Sequence, residues 1–279
     1  NGQGRRGSVA SLCDPAAVCR ISCQRRSVPA RDQVGRGSVA VAQGDAPVGR
    51  RGGVDAGRSH RPGLRATRHA RARGSRVGDG AGARHDVAPD HPAVHCIMLV
   101  LPPEHLEFGK KQLLPLLTSE QQKKILYTAG GEARQHSVQN GVKALPASVE
   151  RIFVHDGARP LLTADIIDRC LAGIEEHGAV IAAVPVKDTL KEVDEDGTEI
   201  VGTVDRSRLW HAQTPQAMDL HLLERAYEYA EATEFIGTDE ASLLEHAGVA
   251  VNVVMGSEEN IKITSPEDLK IAAALLRKD

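Results

Sequence analysis

Five residues near the middle of the chain, His155-Asp156-Gly157-Ala158-Arg159, gather an imidazole, a carboxylate and a guanidinium into one short stretch. They follow the apolar run Ile152-Phe153-Val154 and precede Pro160, so a buried strand is expected to end where the polar cluster begins. An Asp there can bind a divalent cation carried by phosphates, and an Arg can clamp anionic oxygens with two parallel hydrogen bonds. A plain Asp–Arg surface pair is the simpler alternative. Three more polar clusters have similar character. Gly130-Gly131-Glu132 with Ser137 reads as a turn feeding a helix start, whose N–H groups suit a phosphate or a polar base edge. "WHAQTPQ" (Trp210 to Gln216) sets the hydroxyl of Thr214 beside Pro215, and "NIKIT" (Asn260 to Thr264) alternates Lys262 with Ile261 and Ile263. Each taken alone also reads as an ordinary loop, turn or strand. His155 has no second His at metal-ligand spacing, which argues against zinc, and the absence of a GxSxG elbow argues against acyl transfer. Acids, cations and hydroxyls with no obvious nucleophile suit phosphoryl or nucleotidyl transfer, where catalysis is positioning and charge neutralisation.

The elements that must carry these clusters can be read from apolar spacing. Strands are expected at Ile97 to Leu101, at "KKILYTA", at "ERIFVHD", at "AVIAAVPV" and at "VAVNVVM". Helices are expected over "HSVQNGVKAL", with Ser137 as N-cap, and over "ADIIDRCLAGIEEH", where Ile166, Ile167, Cys170, Leu171 and Ile174 share a face. Further helices are read at "LHLLERAYEYAEA", at "TDEASLLEHAG" with its acidic first turn, and at "SPEDLKIAAALLRK" with Pro266 near its start. Between them, two polar strand-like arms flank Asp196-Gly197, a hairpin signal over about residues 187–209. So polar a hairpin is expected to project from the body or to pair with another subunit. Alternation of strands and helices gives an α/β class with a mainly parallel sheet flanked by helices.

Composition divides the chain. Residues 1–89 contain no Lys, Glu, Met, Phe, Tyr or Trp, and they hold 17 Arg. The net charge of −2 for all 279 residues therefore joins a basic first third to an acidic remainder. No apolar period is visible in the first third, and it is expected to be irregular. GC-rich coding sequence read out of frame and a disordered basic arm both account for it, the latter attracting nucleic acid through phosphate neutralisation. "GQGRRG" (Gly2 to Gly7) could wrap a phosphate, but it follows no expected strand. The five cysteines form no CxxC pair, neither a signal peptide nor an 18-residue apolar run is apparent, and a cytoplasmic location is expected. From residue 90 onward an ordinary globular domain is expected.

"GGEARQHSVQNG", "VHDGARP", "VPVKDTLK", "TVDRSRLWHAQTPQ", "TDEASLLE" and "ENIKITSPEDL", in that order, resemble the 2-C-methyl-D-erythritol 4-phosphate cytidylyltransferases of non-mevalonate isoprenoid precursor biosynthesis. The resemblance covers about residues 90–279. It implies a Rossmann-like fold and transfer of CMP from CTP to methylerythritol phosphate with Mg²⁺ and release of pyrophosphate. It also implies a homodimer whose hairpin arm reaches the neighbouring site. By matched position, Gly131 and Ser137 would meet the nucleotide, with Glu132 where the family often has Asp. Asp156 and Arg159 would sit between the substrates, Asp156 also serving the metal. Arg206 and Lys262 would hold the methylerythritol phosphate, while Thr189, Ala212 and Thr214 complete the pocket. The family's glycine-rich loop, broadly "AAGxGxRMG" followed by "KQ", has no counterpart at its usual spacing, and impaired activity is expected. Ribitol-5-phosphate cytidylyltransferase is the related alternative, and a basic nucleic-acid-binding protein acting through residues 1–89 is the alternative from another class.

Overall fold

The computed structural model describes residues 19–23, 37–41 and 87–277. In chain order the strands are β1 (Cys19–Cys23), β2 (Gly37–Val41), β3 (Ile97–Leu101), β4 (Ile125–Ala129), β5 (Val149–Asp156), β6 (Ala179–Pro185), β7 (Leu190–Val193), β8 (Ile200–Val204), β9 (Trp210–Asp219) and β10 (Asn252–Met255). The helices are α1 (Val87–Asp90), α2 (Leu106–Leu113), α3 (Ser119–Lys124), α4 (Arg134–Lys143), α5 (Ala164–His177), α6 (Leu220–Ala232), α7 (Glu240–His246) and α8 (Pro266–Leu275). The class is α/β, and the five strands and five helices anticipated between residues 97 and 277 are all present.

The main sheet runs β4-β3-β2-β5-β9-β6-β10. Along this order the pairs are parallel except where β9 lies antiparallel between β5 and β6, and the eighth strand, β1, pairs antiparallel with β3 and β5. Strand periodicity divides the apolar residues between two cores, because successive side chains point to opposite faces. Met98, Val100, Ile152, Val154 and Met218 face one side, where they pack with Val138 and Val142 of α4, Leu223 and Tyr227 of α6, and Leu243 and Leu244 of α7. Ile97, Leu99, Phe153, Val180 and Ala217 face the other, under Ile166, Ile167, Cys170, Leu171 and Ile174 of α5. Each Leu or Ile so buried contributes about 1.5–3 kcal/mol. Helix α5 ends where expected, on Gly178 in the left-handed region at φ 79°, which satisfies the Ile174 carbonyl.

Four features differ from the sequence reading. First, the stretch expected to be irregular contains β1 and β2. Strand β2 lies parallel between β3 and β5, with Ala40 opposite both Ile97 and Phe153. Strand β1 pairs antiparallel with β5, from Cys19 opposite Asp156 to Cys23 opposite Ile152. The facing edges of β3 and β5 need backbone partners, and short β-capable pentads supply them. Second, Trp210 to Gln216 belongs to the ten-residue strand β9. Its buried Gln213, Thr214 and Gln216 break the apolar alternation that would have marked it. Third, α2 and α3 carry no fully buried residue and so leave no periodic apolar stripe, though a Thr118–Gln121 capping box opens α3. Fourth, Ser137 lies inside α4, whose N-cap position is Ala133.

The hairpin β7–β8 forms its own two-stranded sheet, joined by the loop around Asp196-Gly197. Asp194 holds that loop by accepting from the amides of Thr198 and Glu199. The arm is less polar than its sequence implies, since Val193, Ile200, Val201 and Val204 are all solvent-exposed on it. Among the described residues no helix is long and apolar enough to cross a membrane. The glycine-rich stretch Gly2 to Gly7 lies outside the described residues.

Candidate active site

The carboxyl ends of β4 and β5, the middle of β9 and the loop after β10 each deliver part of the expected constellation. Asp156 is the last residue of β5 and is buried. Its Oδ2 lies 3.3 Å from Arg159 Nε and 3.4 Å from Lys262 Nζ, so two cations distant in sequence converge on one carboxylate oxygen. The pairing is local on one side and tertiary on the other. The Arg159 amide donates to the Asp156 carbonyl and closes the turn, while Gly157-Ala158 carry the chain round it. The Ile263 amide donates to the Ala158 carbonyl at 2.8 Å, which brings the Lys262 segment alongside. Lys262 sits in no strand, and its neighbours Ile261 and Ile263 are half-buried instead of fully packed.

Thr214 stands behind the carboxylate. Its Oγ1 accepts from the Asp156 amide at 2.9 Å and lies 3.0 Å from His155 Nδ1. The other ring nitrogen of His155 is 3.0 Å from the Arg159 carbonyl, which can only accept. His155 therefore carries a proton on Nε2, while its Nδ1 meets a hydroxyl that can both donate and accept. Its role is to lock the turn. The Thr214–Pro215 peptide is cis.

On the β4 side, Gly130 and Gly131 turn the chain into α4. The Gly131 amide donates to Ser137 Oγ at 3.0 Å, and that hydroxyl faces the carbonyls of Ala133 and Gly131. A side chain at position 131 would meet His136 Cβ at 2.6 Å, so only glycine fits this approach of loop to helix. Gly131 and Glu132 are exposed.

One pair tying the two sides together escaped the sequence reading. Arg134, in the first turn of α4, forms a bidentate pair with Glu240 at the start of α7, at 2.8 and 2.7 Å. Glu240 is fully buried. Burial opposes the Arg134 charge, but the Glu240 carboxylate and, farther off, Asp156 outweigh it and hold the guanidinium's pKa above its ordinary value. For Glu240, burial pushes the carboxyl up while Arg134 pulls it back. Gln216 of β9 donates to Asp239 Oδ2 at 2.7 Å and accepts from the Ala241 amide, and Gln135 accepts from the Gly237 amide. The acid expected merely to favour a helix dipole is thus an internal ion-pair partner. Nothing in the spacing announces a contact across 106 residues, although both members lie inside motifs that the resemblance singled out.

Ala212 is exposed on β9 opposite Ala183. Thr189, before β7, and Arg206, in the short 3-10 turn after β8, are exposed on the arm and take no part in the Asp156 cluster. Among the described residues no group of three His, Cys, Asp or Glu side chains could hold a metal by itself. A single carboxylate fits a cation that arrives already bound to phosphates, since Mg²⁺ commonly takes only one or two protein ligands.

Comparison with known proteins follows these motifs. The family model described as 2-C-methyl-D-erythritol 4-phosphate cytidylyltransferase matches residues 84–278. Enzymes of that name from Alkaliphilus metalliredigens and Bacillus licheniformis are 44% and 46% identical over 191 and 193 residues. These alignments cover 68% and 69% of this chain and 78% and 81% of the relatives. A bifunctional IspD/IspF enzyme from Desulfotalea psychrophila is 47% identical, but the chain spans only 47% of its length. Among solved structures, a 4-diphosphocytidyl-2C-methyl-D-erythritol synthase from Anaerococcus prevotii superposes with a TM-score of 0.62 at 33% identity, covering 69% of this chain and 83% of that one. A second synthase of that name gives 0.58 at 33% identity, covering 69% and 88%. Neither the ribitol-phosphate enzyme nor a nucleic-acid-binding protein is favoured by these matches. With the family model matched over residues 84–278, most of the chain, the protein belongs to the 2-C-methyl-D-erythritol 4-phosphate cytidylyltransferase family of nucleotidyltransferases.

Proposed function

We propose that this chain binds CTP and methylerythritol phosphate around Asp156 and transfers the cytidylyl group between them, at a rate limited by what its first third lacks. The carrying observation is the meeting of Arg159 and Lys262 on one oxygen of Asp156. A guanidinium and an ammonium brought to one oxygen are groups that suit a substrate phosphate. In this reading Gly131 and Ser137 face the nucleotide, and Thr214 keeps the Asp156 backbone in place. Lys262 and Arg206 hold the phosphate whose oxygen attacks the α-phosphorus as the bond to the pyrophosphate leaving group breaks. Thr189 and Ala212 complete the pocket. A divalent cation held at Asp156 with the triphosphate would neutralise charge on the phosphates. The exposed apolar arm supports a homodimer in which Thr189 and Arg206 serve the neighbouring subunit.

Residues 1–89 contain no lysine, so they cannot supply the cationic ammonium of a glycine-rich loop. Loss of one transition-state donor typically costs about 3–4 kcal/mol. Slow turnover is therefore expected beside measurable binding. The test is pyrophosphate release from CTP and methylerythritol phosphate, with ribitol 5-phosphate in parallel and Asp156→Asn as control. Slow release that needs methylerythritol phosphate and disappears in the control supports the proposal. Equal use of ribitol phosphate, or turnover indifferent to Asp156, refutes it.

A further inference from the structure

Asn260 plays none of the roles assigned above, yet its side chain is fully buried. Its Nδ2 donates to the Thr214 carbonyl at 2.8 Å and reaches Gln213 Oε1 at 3.4 Å. Its backbone carbonyl accepts from Arg159 Nη1 at 2.7 Å. Asn260 Oδ1 has no hydrogen-bond partner among the described residues. A buried amide with an unsatisfied oxygen is unfavourable relative to an apolar side chain, so the donor half must supply something that packing cannot.

What it supplies is a fixed path for the chain. Gln213 Nε2 donates to the Ser257 carbonyl at 2.7 Å, and the Ser257 amide returns to Gln213 Oε1 at 3.2 Å. Position 256 must be glycine for this, because a Cβ there would lie 2.3 Å from Gln213 Oε1. Residues 256–260 therefore wrap the amide of Gln213, and Asn260 closes the wrap onto β9. Two residues later Lys262 faces Asp156, and one further the Ile263 amide joins Ala158.

We propose that Asn260 is a positioning residue for the reaction: by clasping Gln213 and Thr214 it sets Arg159 and Lys262 against one oxygen of Asp156. The functional part of this inference rests on reading that cluster as a phosphate site. Its test begins without ligand. In the full chain labelled with ¹⁵N, the Arg159 guanidinium signal is identified by its loss in Arg159→Lys. Asn260→Ala, which removes the clasp, is expected to speed hydrogen exchange at that guanidinium by about tenfold or more. If the alanine variant does not fold, Asn260→Ser, which keeps a shorter donor, is expected to show a smaller change in the same direction. Calorimetric titration with methylerythritol phosphate is then expected to show about tenfold weaker binding in the Asn260 variant. Leu243→Ala, a core change on α7, should lower the melting temperature without that loss. Unchanged Arg159 exchange in the variant, or equal loss of affinity in Leu243→Ala, overturns the inference. Failure of the unsubstituted chain to bind methylerythritol phosphate instead refutes the proposed function, and the Arg159 signal still decides the role of Asn260.

Discussion

Glu240→Ala is expected to be among the most damaging single changes outside the Asp156 cluster. It leaves the Arg134 guanidinium, 16% exposed, without its two-bond partner, beside a site that was fully buried. Breaking a buried ion pair from one side costs about 3–5 kcal/mol, most of it the penalty of an uncompensated charge. Replacing both members with apolar residues, as in Arg134→Met with Glu240→Leu, removes both charges and should return stability to within about 1–2 kcal/mol of the parent. The two single variants should also differ in pH response. In Arg134→Met the remaining carboxyl is buried without its cation, so its folded-state pKa rises farther above the unfolded value of about 4.3. A carboxyl with a raised folded pKa penalises the native state above that pKa. The penalty fades as pH falls through it and is gone below the unfolded pKa. Arg134→Met should therefore approach the parent's stability near pH 4. Glu240→Ala lacks that carboxyl and keeps only a guanidinium that does not titrate, so its own stability should show no such rise as pH falls. Urea unfolding followed by far-UV circular dichroism at several pH values measures both. A cost below about 1 kcal/mol for Glu240→Ala, or matching pH profiles for the two variants, would show that the pair is not an isolated buried charge pair.

Asp268 accepts from the amides of Thr264 and Ser265 and from the Thr264 hydroxyl, bonds that hold its carboxyl below the ordinary carboxylate range. Its capping contribution should be complete above the unfolded pKa and lost as pH falls through the depressed folded value; a carboxyl NMR titration midpoint at or above 3.8 would contradict this. Burial pushes the Cys170 thiol up to about 12, so alkylation at pH 8 mapped by mass spectrometry should spare it while half-buried Cys96 reacts. Leu244→Ala, in the core under α7, should cost about 2–5 kcal/mol in urea unfolding. Ile200→Glu on the exposed arm should leave stability nearly unchanged but lower the dimer fraction in sedimentation if the arm is a subunit contact; an unaltered dimer would remove that role.

Legibility in the sequence followed the strength of the periodic signal. Helix α5 and strand β5 were readable because each meets the core with an unbroken apolar face and ends at a clear stop, Gly178 or the polar cluster at Asp156. Asp156, Arg159 and Lys262 could be nominated separately, but their convergence on one oxygen depends on pairing around Ala158 and Ile263 that no local pattern encodes. Strand β9 was hidden because Gln213, Thr214 and Gln216 occupy buried positions that apolar residues usually fill. Their polarity is satisfied by partners 23 to 59 residues away in sequence. The Arg134–Glu240 and Gln213–Asn260 links were invisible for the same reason. They are tertiary hydrogen bonds whose members look, in sequence, like surface residues.

Strand β9 joins tasks that most strands keep apart. Ala217 and Met218 feed opposite cores, while Thr214 three or four positions earlier sets the Asp156 backbone and Gln213 anchors the loop after β10. Because side chains alternate along the regularly paired end of the strand, a single residue inserted or deleted between Gln216 and Met218 would exchange the two cores in one step. This stretch should therefore admit changes of residue type far more readily than changes of length. Loop-grafting or domain-insertion designs on this scaffold should spare it and use the tip of the β7–β8 arm instead, where Asp196 and Gly197 lie in solvent.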